Sequence, residues 1–171
     1  MSFLSPFGIV HTAISLAAVA AGVAGFLRDG RIDPGNGAGK LYVAATALSA
    51  LSGLFIFAHG GFGKPHVLSL ITLATLLLAW LVRRARMFGR AWQAVETVLY
   101  SLTFFFHMVP GVTETATRLP AGAPLVDSPE APALAAAYGV MFVLFIAGAI
   151  RQVRSLRARR PDPFGERHRT V

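Results

Sequence analysis

Cysteine is absent from the 171 residues, which excludes disulfides, iron–sulfur clusters, thiolate zinc sites and cysteine nucleophiles. Charge is scarce. Asp, Glu, Lys and Arg make up 14% of the chain, against about 25% in a soluble domain. Acidic residues are the rarer sign, 8 against 16 basic, for a net charge of +8. No Gly-rich phosphate loop, HExxH pair or Ser-His-Asp set appears, so nothing supports nucleotide-dependent or hydrolytic chemistry.

Apolar residues fill the space that charge leaves. They form 54% of the chain, and the mean hydropathy is +0.59. Five apolar segments stand out: Phe7–Leu27, Leu41–Ala58, Val67–Val82, Ala91–Val112 and Pro132–Ile150. Each approaches the roughly 20 residues a helix needs to cross a bilayer core. A helix lying on a soluble core shows a polar face every 3.6 residues. Four of these segments carry no charge and are apolar almost all round. The expected fold is therefore all-α, a polytopic membrane bundle of about five transmembrane helices over residues 1–150. A basic cytoplasmic tail, 151–171, follows. Asp33-Pro34-Gly35-Asn36-Gly37, Gly60–Pro65 and Leu119–Pro132 are turn-rich connections. Arg151, Arg154 and Arg157 keep helical spacing, and the chain beyond Pro161 is expected to be disordered.

Five crossings sort the charges. Arg28, Arg31 and Lys40, then Arg83, Arg84, Arg86 and Arg90, then the seven tail arginines place 14 of the 16 basic residues on one side. Lys64 and Arg118 are left for the other. Short basic loops stay cytoplasmic, which puts the N-terminus outside and the C-terminus inside a bacterial inner membrane. The charge thus reads as topology, with the lipid bilayer as partner and no nucleic acid. A signal peptide carries its positive charge ahead of the apolar run. Here no Lys or Arg precedes Arg28, so the first segment is expected to be retained.

Small residues four apart, Ala18/Gly22 and Ala21/Gly25, recur in the first segment. Ala45, Ser49 and Gly53 in the second and Ala135–Gly139 with Ala147–Ala149 in the fifth repeat the theme. Close backbone approach drives helix association in lipid. These faces fit either a tight bundle or docking into a homo-oligomer or larger membrane complex.

Two features carry candidate chemistry. The alternation places His11, His59, His66 and His107 at the outer level. Imidazole ligates metals and haem iron, so these four are candidate ligands of a b-type haem or of a copper or zinc ion. Phe104-Phe105-Phe106 would be an apolar haem wall. The competing reading is four ordinary interfacial histidines and no cofactor. The second feature is Glu96, the one acid within an apolar segment, and an intramembrane carboxylate marks a functional site by default. Glu96, Tyr100, Thr103 and His107 follow at spacings of 4, 3 and 4, so their directions fall within about 60°. That stripe, about 16 Å long at 1.5 Å per residue, fits a proton path, interhelical hydrogen bonding, or pairing of Glu96 with a basic rim residue such as Arg90. The connection Thr113–Ala131 is read as a solvated outer loop.

Gly39-Lys40-Leu41-Tyr42-Val43, Ala50-Leu51-Ser52-Gly53-Leu54, Pro65-His66-Val67-Leu68-Ser69-Leu70 and a first-helix His11 resemble an uncharacterised bacterial family of small multi-pass membrane proteins, over roughly residues 8 to 86. The chain departs from that pattern at Gly37-Ala38-Gly39-Lys40, where members often carry a His-Arg pair. The resemblance implies a multi-pass fold and brings no activity with it. Three function classes follow from the residues: a redox or metal protein in electron transfer built on the histidines, a non-catalytic accessory subunit, and a small transporter.

Overall fold

A computed structural model describes residues 6–57 and 61–158. They form five helices: α1 Pro6–Asp29, α2 Gly37–Gly53, α3 Lys64–Ala85, α4 Trp92–Arg118 and α5 Pro132–Ala158. A 3₁₀ turn, Gly89–Ala91, leads into α4. No strand occurs among the described residues.

Local chemistry sets the boundaries. Asn36 caps α2, its side-chain oxygen accepting the Gly39 N–H at 2.9 Å. Asp33 closes the preceding turn by accepting the Gly35 N–H at 2.8 Å. Pro65 sits in the first turn of α3, where its missing N–H costs nothing. The exit of α3 is left-handed at Arg86, as is Phe88 before the 3₁₀ turn. Two helices outrun their expected ends. α4 continues through Pro110 to Arg118 rather than stopping at Val112, with the Thr113 hydroxyl bonded back to Val109 and Arg118 paired with Glu114. The connection to α5 is correspondingly shorter, residues 119–131. α5 continues without a break from Ile150 to Ala158.

α1 to α4 close into a ring, α1 on α2, α2 on α3, α3 on α4, with α4 touching α1; α5 packs chiefly on α4. The small residues of α1 are used inside the ring. A Cβ on Gly22 would stand 2.6 Å from the Phe104 ring, and one on Gly39 would run into the Asp33 backbone. In α5, by contrast, Ala135, Ala136, Gly139 and Ala147 stay exposed.

The surface is apolar and the interior is partly polar, the reverse of a soluble domain. Leu16, Leu48, Leu77 and Leu144 are more than half exposed, while Thr46, Thr103, Glu96 and Ser101 are buried. α1, α3, α4 with its leading turn, and α5 are long and apolar enough to cross a membrane. α2, at 17 residues or about 26 Å, falls short of the expected fifth span. Loops 30–36 and 86–91 and the end of α5 gather at one end of the bundle, joined by Arg83–Asp33 and Gln152–Gly30 contacts. Lys64 meets Glu130 at the other, 3.5 Å apart.

Candidate functional site

A polar seam runs between α1, α2 and α4. At the arginine-rich end, Glu96 is buried and bonded by the Arg83 guanidinium at 3.2 Å. Arg83 also reaches Asp33, 3.9 Å away, and Arg31 holds Asp33 at 2.8 Å. The partner of Glu96 is therefore the last turn of α3, one loop residue set earlier than Arg90. Burial works to raise the Asp33 carboxyl, and the Gly35 N–H, Arg31 and Arg83 outweigh it, holding the group below its usual range. Arg31, Asp33, Arg83, Gln93 and Glu96 line a cleft of about 100 Å³, large enough to hold water.

Inward from Glu96 lies Tyr100, 3% exposed. Its carbonyl accepts from the Thr103 hydroxyl at 2.8 Å and, at 3.4 Å, from Tyr42. The Tyr42 hydroxyl is 2.7 Å from that of Thr103, and Thr46 follows it one turn along α2. The Thr46 hydroxyl lies 3.1 Å from His107 Nε2. The pairs Thr103–Tyr42 and Thr46–His107 thus succeed one another along the seam, and Thr103, Tyr42 and Thr46 are sealed at 0% exposure. Further along, Ser49 and Ser15 share a hydrogen bond of 2.6 Å, and His11 Nδ1 is 2.8 Å from the Ser52 hydroxyl.

Of the four expected ligands, His11 and His107 both lie on this seam, bonded to Ser52 and Thr46 of α2 respectively. His59 lies outside the described residues. His66 stands apart as a helix cap, its Nδ1 accepting the Gly63 N–H at 3.2 Å and its ring held between Phe57 and Phe62. With Nδ1 accepting, the ring hydrogen resides on Nε2, a buried atom with no hydrogen-bond partner among the described residues. In this arrangement His66 presents a donor, not a lone pair. Among the described residues no group of three or more His, Asp or Glu side chains is arranged to hold a metal ion. The expected haem wall divides: Phe104 packs edge-on against Phe26, while Phe105 turns to Phe142 and Phe145 on α5.

Sequence reasoning found Glu96, Tyr100, Thr103 and His107 but missed their partners on α2. The signal was present: Tyr42, Thr46, Ser49 and Ser52 recur at spacings of 4, 3 and 3, a helical polar face. It was hidden because Ser and Thr in an apolar helix also read as small packing residues. A second polar cluster, the Ser101 hydroxyl donating to Gln152 Oε1 at 2.9 Å and Gln152 Nε2 to the Gly30 carbonyl at 3.1 Å, carried no sequence signal.

Comparison with protein-family models, with curated proteins and with solved structures finds no match to this chain. The functional argument rests on the seam itself.

Proposed function

We propose that the chain is a five-crossing protein of the bacterial inner membrane, N-terminus outside, and that its seam relays protons between the arginine-rich end and the histidine end. The alternation of basic loops supports the orientation. The apolar stretch Leu54–Phe57, a turn and extended chain after α2, supports a fifth crossing because it adds apolar length to a helix that is itself short.

The observation that carries the relay is the sealed row of hydroxyls Thr103, Tyr42 and Thr46, with Tyr42 bonded to Thr103 and Thr46 to His107. Each hydroxyl passes on its own proton as it accepts another, so one proton enters from the Glu96 cleft for each that leaves at the imidazoles. The Glu96 carboxylate and the His107 and His11 imidazoles hold the proton at the two ends. Purified protein in liposomes containing a pH-sensitive dye, under a potassium diffusion potential, should acidify faster than protein-free vesicles. Tyr42→Phe should return the rate to that baseline. Equal rates for protein-containing and empty vesicles, or an unaffected Tyr42→Phe protein, overturn the relay.

The placement of His11 and His107 along one face of α2 favours a second reading, ligation of a haem iron or a copper or zinc ion by that pair. Purified protein would then carry a Soret band or stoichiometric metal that His107→Ala removes.

A further inference from the structure

α5 meets the ring along one side only, and a groove of about 370 Å³ opens between α5, α4 and the end of α1. That volume falls within the range of about 300–1,000 Å³ typical of ligand sites. Its walls are apolar: Phe104, Phe105 and Met108 on one side, Met141, Leu144 and Phe145 on the other. Gly148 leaves the floor open, for a Cβ there would meet nothing within 4 Å. The polar groups that border it, Ser101, Gln152 and the Gly30 carbonyl, satisfy one another. The exception is Arg151 at the mouth, exposed and without an ion pair among the described residues, as are Arg154 and Arg157 on the turns beyond.

From Met141 to Arg151 is ten residues, about 15 Å of helix. That is half the roughly 30 Å of a bilayer's hydrocarbon. The groove therefore runs from the arginine rim to the mid-plane, the depth of a single leaflet. We propose that it binds one anionic phospholipid of the arginine-side leaflet, an acyl chain lying between α4 and α5 and the phosphate at Arg151. The proposal rests on the membrane placement above and is independent of the proton relay. A guanidinium at the membrane surface attracts anionic headgroups, and an apolar slot open on its lipid side admits a chain without reorganisation of the bundle.

The test uses delipidated full-length protein titrated with phosphatidylglycerol and, separately, with phosphatidylcholine of the same acyl chains, with bound lipid counted by native mass spectrometry. One tightly held phosphatidylglycerol per chain is expected, with phosphatidylcholine about fivefold weaker, the effect of one surface arginine on an anionic lipid. Arg151→Ala should abolish that preference. Gly148→Leu should weaken both lipids while leaving the melting temperature unchanged, because the added side chain meets only the groove. If Gly148→Leu disturbs the fold, Phe145→Trp replaces it, its emission quenched by brominated phosphatidylglycerol beyond the quenching of lipid-facing Trp80. Equal binding of the two lipids, an unchanged preference in Arg151→Ala, or quenching no greater than at Trp80 overturns the proposal. Failure of the membrane placement is distinct: the protein would then not float with vesicles of either composition.

Discussion

Thr46 and Thr103 are wholly enclosed at the centre of the ring, while on α5 Val143 and Leu144 remain 66% exposed. The two regions are held by different forces. In lipid, burying an apolar side chain against another helix gains little, because acyl chains are equally apolar. The ring is held by the Phe104 and Tyr42 rings seated against Gly22, by the 31–34 loop lying on Gly25 and Gly39, and by hydrogen bonds between hydroxyls. α5 is held by an aromatic cluster, Phe105 with Phe142 and Phe145, by the Ser101–Gln152–Gly30 clamp, and by the Thr113–Tyr138 hydrogen bond. A helix attached along one side leaves a groove; a closed ring leaves a sealed seam.

The contrast can be broken first at Gly39, where an added methyl meets the Asp33 and Pro34 backbone. Gly39→Ala should destabilise the ring by about 3 kcal/mol, the upper end of overpacking costs, read as a fall in melting temperature in detergent. Removing the clamp comes next. Gln152→Leu leaves Ser101 and the Gly30 carbonyl without their partner and should cost about 1–2 kcal/mol. The loss should show as faster amide exchange in α5 with the ring unchanged; equal acceleration in α2 would mean the two regions unfold as one.

Within the seam, Thr103→Val should cost only about 0.6 kcal/mol, the average for a polar contact between membrane helices. A small stability loss there combined with abolished proton flux would separate a relay from structural hydrogen bonding. Asp33 adds a pH dependence. Its folded pKa lies below the unfolded value, so its contribution is complete above the unfolded pKa and is lost as pH falls through the folded one. Melting temperature should therefore drop in acid below about pH 4, less steeply in Asp33→Asn. The smallest effect belongs to the lipid-facing side of α5. Val143→Ala should alter stability by no more than about 0.5 kcal/mol, as at other exposed positions, and a larger loss would mean that this face is covered by protein.

The helices were legible in the sequence because hydrophobic length is read directly, and four of the five segments reappear as helices long enough to span a bilayer. Their ends were less so. The apolar run of α4 ended at Val112, yet the helix continues to Arg118 with the Thr113, Thr115 and Thr117 hydroxyls each bonded back one turn. The stripe on α4 was legible from its spacing, whereas its pairing with α2 depended on which faces meet. Tyr42 reaches Thr103 across 61 positions of sequence.

The sequence by itself determined the helical class, the number of apolar segments and the gathering of arginine at alternate connections, because each follows from composition along a short window. Tertiary structure alone decided that His11 and His107 both bond to α2 while His66 turns away to cap its own helix, that Glu96 pairs with Arg83, and that α5 leaves a groove. Those outcomes depend on the rotation of each helix about its axis. Rotation is set by where backbones come closest and hydroxyls find partners, which no single apolar segment records.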